Sequence, residues 1–127
     1  MKEVKFFICE HCGNIITMVE DKGVPVVCCG QKMTQMAVKT EDGGFEKHVP
    51  VIKVDGKNVR VEVGSVAHPM LPEHSIQWVC LVTDKGISIK YLEPGAAPAA
   101  SFALADDEKL VAAYEYCNLH GLWKAEA

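Results

Sequence analysis

The chain has 127 residues, 49% apolar and 24% charged, a balance that excludes a disordered polymer and fits one domain, or a small domain joined to a medium one. Its net charge of -4 and scattered lysines argue against nucleic acid, which is bound through a basic stripe. No apolar run approaches the ~20 residues of a membrane helix, and residues 1–8 lack the apolar core and cleavage site of a signal peptide; the expected location is the cytoplasm, where six cysteines point to metal ligation rather than disulfides.

Residues 1–37 read as a unit of their own. Cys9-Glu10-His11-Cys12-Gly13 is a knuckle, with two thiolates two residues apart and a glycine suited to the positive φ of a tight turn. Ile15-Ile16-Thr17-Met18-Val19 has strand character, Asp21-Lys22-Gly23 is a turn signal, and Val24-Pro25-Val26-Val27 leads into Cys28-Cys29-Gly30. So short a segment builds too small a core, so a metal is the expected staple. Four thiolates, Cys9, Cys12, Cys28 and Cys29, suit tetrahedral iron or zinc. The spacing leans towards zinc, because closed zinc ribbons are common. The adjacency of Cys28 and Cys29 leans the other way, because both cannot take the relaxed geometry of a knuckle and a distorted tetrahedron follows. A disulfide is the remaining alternative. His11 reads as a solvated side chain.

Residues 38–44 read as a polar, glycine-containing linker, and residues 45–127 as a second domain. From Phe45 onward the apolar period is two. Val59, Val61 and Val63 alternate with polar residues after an Asp55-Gly56 turn. Ile76, Trp78, Cys80 and Val82 share one strand face, and Ile87, Ile89 and Tyr91 alternate with Ser88 and Lys90. Phe102 and Leu104 follow a Pro/Ala loop. Leu110, Ala112, Tyr114 and Tyr116 alternate with Val111, Ala113, Glu115 and Cys117. About seven short strands with frequent turns and no amphipathic helix read as an all-β sandwich. Cys80 and Trp78 read as core, Met70 as packing, and Trp123 as a cover over the neighbouring loop.

Cys117-Asn118-Leu119-His120-Gly121 follows the last of these runs and sets a thiolate and an imidazole three residues apart. By itself this also fits an inert thiol beside a surface histidine. Three further histidines lie at strand edges or in loops, where ligands can converge: His48 in Glu46-Lys47-His48-Val49-Pro50, His68 in Ala67-His68-Pro69-Met70, and His74 in Pro72-Glu73-His74. Four imidazoles and one thiolate supply five donors, a set that iron(II) accepts and zinc rarely takes. An octahedral ion held this way keeps one position for chemistry.

The Glu-Lys-His-Val-Pro, His-Pro-Met and Cys-Asn-Leu-His-Gly segments, with His74, Cys9-Glu10-His11-Cys12-Gly13-Asn14 and Val27-Cys28-Cys29-Gly30-Gln31-Lys32-Met33, resemble desulfoferrodoxin, the two-iron superoxide reductase. The resemblance runs in order along nearly the whole chain. It implies a desulforedoxin-like domain whose four cysteines hold a first iron, and an immunoglobulin-like sandwich whose His48, His68, His74 and His120 surround a second iron with Cys117 as axial ligand. It implies reduction of superoxide to hydrogen peroxide, with Lys47 attracting the anion and positioning a protonating water, and Glu46 binding ferric iron when substrate is absent. It also implies an auxiliary electron role for the first iron, a rubredoxin-like donor, a homodimer, and neither haem nor organic cofactor. Two other readings of the residues are an electron-transfer protein without catalysis and a zinc-ribbon binding module with structural histidines.

Overall fold

The structure, a computed structural model, describes residues 3–42, 48–64 and 68–127. It divides into two compact units, residues 1–37 and 38–127. Every element among the described residues is a strand.

In the first unit, β1 (Phe6–Ile8) lies between β2 (Ile15–Thr17) and β5 (Thr34–Gln35), both antiparallel to it. A separate hairpin joins β3 (Val27–Cys28) to β4 (Gln31–Lys32). Its two-residue loop is Cys29-Gly30, with φ of 53° and 72°. Positive φ at both central positions is the requirement of a tight type I′ turn, whose twist matches that of the strands. The adjacent cysteines thus have different backbones: Cys28 ends a strand, and Cys29 is a non-glycine residue held in the left-handed region. Phe6 and Cys9 are the buried apolar residues described here. That is a thin core for a unit this short, and units below about 40 residues usually need a metal or disulfides to fold.

The second unit holds two sheets. One has the order β10-β9-β12-β13-β6 and the other β11-β8-β7, where β6 is Val38–Lys39, β7 Pro50–Asp55, β8 Asn58–Val63, β9 Ile76–Thr83, β10 Gly86–Tyr91, β11 Ala99–Ala103, β12 Leu110–Cys117 and β13 Gly121–Glu126. The core joins Val59, Val61 and Val63 of β8 and Ala100 and Phe102 of β11 to Ile76, Val79 and Leu81 of β9 and Ala113 and Cys117 of β12. Two inner faces interdigitating in this way make a β-sandwich.

Three details differ from the sequence reading. Val38–Lys39, read as linker, is strand β6, which pairs parallel to β13 at Leu122 and Trp123. In β9, Ile76, Val79 and Leu81 face the core, whereas Trp78 stacks on Tyr116 at 5.7 Å. The register shift between Tyr116 and Cys117 moves Ile76 off the face of Trp78. In β10, Ile87, Ile89 and Tyr91 are exposed along the sheet edge. Alternation reveals two faces; it does not say which one is covered when a central strand is apolar on both.

Candidate metal centres

The first centre is built on the knuckle and the β3–β4 turn. The sulfurs of Cys9, Cys12, Cys28 and Cys29 all lie within 4.8 Å of one another. Cys12 Sγ is 3.6 Å from Cys28 Sγ, and Cys28 Sγ is 4.0 Å from Cys29 Sγ. A metal–sulfur distance of about 2.3 Å gives a tetrahedron with edges of roughly 3.8 Å, so the thiols are spaced for one shared ion. The separations are nearly twice the ~2.05 Å of a disulfide, and all six cysteines are free thiols. The turn that brings Gly13 N–H to the Cys9 carbonyl at 2.8 Å also points Cys12 N–H at Cys9 Sγ, at 3.5 Å. That backbone donor, with smaller help from neighbouring groups, lowers the Cys9 pKa to about 6. The Cys29 thiol moves the other way, to about 12, chiefly because it hydrogen-bonds Cys12 and is partly desolvated. Four thiols this close cannot all ionise alone; a bound cation removes that conflict. Asn14 Nδ2 donates to Cys28 Sγ at 3.7 Å.

The second centre lies at one end of the sandwich. His48, His68, His74, His120 and Cys117 bring five donor atoms within 4.8 Å of one another. The imidazoles meet in cyclic order. Ring centroids are 4.6 Å apart for His48–His68, 4.8 Å for His68–His74, 5.1 Å for His74–His120 and 4.9 Å for His120–His48, and each pair is steeply inclined. His68 and His120 are therefore opposite corners. Cys117 Sγ is 3.6 Å from His68 Nε2 and 3.7 Å from His120 Nδ1, so the sulfur is nearly equidistant from these two opposite corners. His48 Nε2 and His68 Nε2 are 3.0 Å apart. Neighbouring nitrogens of an ion with bonds of about 2.1 Å are separated by roughly this distance. The donor set and its spacing fit an octahedral ion with one position left over.

Supporting groups aim these side chains. His68 Nδ1–H donates to the Pro69 carbonyl at 2.7 Å, which leaves Nε2 as the lone-pair nitrogen facing the centre. The Asp42 carboxylate accepts from the backbone N–H of His48 at 2.6 Å and of Val49 at 2.9 Å. Trp123 stacks on His48 with centroids 4.7 Å apart. The indole N–H of Trp123 donates to the His120 carbonyl at 3.1 Å, and Lys39 Nζ donates to the same oxygen at 2.8 Å. His48, His68 and Cys117 are buried while His120 is exposed, so the square reaches solvent on its His120 side.

Two family models match the chain: desulfoferrodoxin over residues 38–126, and desulfoferrodoxin, N-terminal domain, over residues 1–36. The chain belongs to the desulfoferrodoxin family. It is 50% identical over 126 residues to a desulfoferrodoxin of Nitratidesulfovibrio vulgaris, covering 98% of each chain. It is similar to the crystal structure of the superoxide reductase from Treponema pallidum, with 44% identity, a TM-score of 0.86 and 98% of both chains covered. It also resembles the superoxide reductase (1Fe-SOR) from Giardia intestinalis, with 35% identity and a TM-score of 0.58, over 65% of this chain and 98% of that one. These likenesses support an oxidoreductase role and two iron sites.

The nine cysteines and histidines picked out as desulfoferrodoxin ligands fall into the two clusters just described. Glu46 and Lys47 lie outside the described residues. Lys39, Asp42, Asn118 and Trp123 have no ligand-holding role legible in the sequence, because Lys39, Asp42 and Asn118 act on other segments and Trp123 stacks on the distant His48. Glu115, which the alternation sets on the face of β12 that carries Ala113 and Cys117, is fully buried, across from Val79 and Trp123. Burial, with a smaller contribution from the negative Asp42, pushes its pKa up to about 9, so the carboxyl is protonated at neutral pH.

That burial has a consequence for stability. The unfolded chain releases the Glu115 proton near 4.5 and the folded chain near 9. Between those values the folded state binds the extra proton. Stability therefore falls as pH rises through the window, by up to about 1.4 kcal/mol per pH unit, and levels off above it. Glu115→Gln removes the titration. Thermal unfolding midpoints from pH 5 to 9 should decline more steeply in the parent than in the variant, by several degrees per pH unit at most. Parallel curves would mean that Glu115 ionises normally.

Proposed function

We propose that this protein is a superoxide reductase, which reduces superoxide by one electron and two protons to hydrogen peroxide. The observation that carries the reading is the ring of four imidazoles with the Cys117 sulfur nearly equidistant from two opposite members, all five donor atoms lying within 4.8 Å of one another. Five donors leave an octahedral ion one exchangeable position, which a closed structural site does not have. Iron held by His48, His68, His74, His120 and Cys117 supplies the electron. The Cys117 thiolate would be the soft, electron-rich ligand of that iron, as thiolate ligands are in some haem enzymes. Neutral imidazoles suit a ferrous ion, and the buried Cys117 side of the site keeps water from the sulfur. Lys47 draws in the anion and positions the protonating water. Glu46 would be a ligand of the oxidised iron when substrate is absent.

Cys9, Cys12, Cys28 and Cys29 hold the first iron. Four thiolates fill a tetrahedral ion, so this centre passes electrons and binds no substrate. The electrons come from a rubredoxin-like donor. We further propose a homodimer acting in the cytoplasm. The likeness to a one-iron superoxide reductase that this chain matches over 65% of its length supports separating catalysis from the first centre. Cys12→Ser should therefore change the first iron's visible spectrum and leave single-turnover oxidation of the second iron by superoxide within about twofold. Loss of that step in a folded variant would contradict the separation.

The reading itself is tested by pulses of superoxide delivered to the reduced, iron-loaded protein. One peroxide formed per superoxide consumed, with no dioxygen, is the expected result. Dioxygen in proportion to peroxide would indicate dismutation, and no reaction would favour an electron carrier. A purified protein that stays colourless after oxidation would carry zinc or no metal, because ferric thiolate absorbs visible light.

A further inference from the structure

Asn118 lies inside the Cys117–His120 loop, yet its side chain turns away from the ligands of its own loop and reaches the segment that carries His74. Its Oδ1 accepts the backbone N–H of Ser75 at 3.0 Å, and its Nδ2 donates to the Glu73 carbonyl at 3.0 Å. Its own backbone N–H donates to the Ser75 carbonyl at 3.3 Å. The residues on both sides of His74 are thus tied to one amide. His74 itself closes a tight turn, with Leu71 N–H donating to the His74 carbonyl at 2.9 Å and His74 N–H to the Leu71 carbonyl at 3.2 Å. That turn curls the backbone locally; Asn118 fixes where the turn sits relative to Cys117 and His120.

We propose that Asn118 is the positioning residue that sets His74 at its corner of the square, coupling the thiolate loop to a ligand on another segment. The role needs an acceptor and a donor on one short planar group, which asparagine has. Aspartate supplies no donor and sets a carboxylate oxygen against the Glu73 carbonyl; glutamine carries the same amide one methylene too far. His74 belongs to a turn rather than to a long strand, so its aim depends on this clasp. Groups that orient metal ligands typically change metal affinity 10- to 100-fold when removed.

The inference rests on the reading of His74 as a ligand, so the test begins with His74→Ala. In the reduced, iron-loaded protein each ligating imidazole should give a contact-shifted N–H proton resonance, and His74→Ala should remove one of four. If it removes none, the ligand reading fails and this inference falls with it. If it removes one, Asn118→Ala and Asn118→Asp should displace or broaden that same resonance, leave the other three in place, and weaken iron retention against a chelator about 10- to 100-fold. A purely structural loss would shift all four together. Unchanged resonances in both Asn118 variants would overturn the inference while leaving His74 a ligand. Should neither variant fold, hydrogen exchange of the unmodified protein decides: the Ser75 amide should exchange as slowly as those of β12, and exchange at the rate of an exposed loop would overturn the clasp.

Discussion

Cys117→Ser should abolish the sulfur-to-iron charge-transfer absorption of the second centre and slow peroxide formation by at least the roughly 10- to 100-fold that losing a ligand's outer partner costs. The residue is buried in the core at the end of β12, paired with Ile76 on one side and Gly121 on the other. Serine is close to it in size, so packing changes little and the variant should fold. What changes is the donor. A hard oxygen gives less density to iron than a soft thiolate, and the push towards the sixth position weakens. Visible spectra of both oxidation states and stopped-flow kinetics check the two parts separately. A retained band would show that Cys117 is not a ligand, and a lost band with an unchanged rate would show that the axial thiolate is dispensable.

Lys47→Ile should slow the second-order oxidation of the ferrous centre by superoxide ~10- to 10³-fold, the range over which local fields raise on-rates. Superoxide is an anion and the chain carries -4, so the overall field opposes encounter. Fast capture then calls for a local cation, and Lys47 directly precedes His48. The variant should also flatten or reverse the decline of the rate with ionic strength, because screening no longer weakens an attraction. Its visible spectrum should barely change, since Lys47 is not assigned to the metal. Glu46→Ala is the matched control: it should alter the ferric resting spectrum with little effect on the first encounter. A Lys47→Ile protein with the parental rate and salt dependence would assign steering to other groups.

The chemistry of both centres was legible in residue type and spacing. Thiolates and imidazoles are scarce, and their identity alone states which ions they suit; Cys9 and Cys12, or Cys117 and His120, are close enough in sequence for a turn to bring them together. The period of two announced a sandwich, because alternation is a property of the extended backbone itself. The tertiary structure decided everything that depends on contacts between distant segments. The cyclic order of the four imidazoles, with Cys117 nearly equidistant from His68 and His120, comes from how three loops meet at one end of the sheets. Val38–Lys39 is a strand only because β13 offers it an edge. Glu115 resembles a solvent-facing residue in a strand apolar on both faces, yet it is fully buried. Lys39, Asp42, Asn118 and Trp123 act through bonds to backbone groups or by ring stacking, and such partners leave no mark on local pattern. Sequence determined which atoms can bind metal; only the fold determined which of them cluster, and which uncharged or distant groups hold them there.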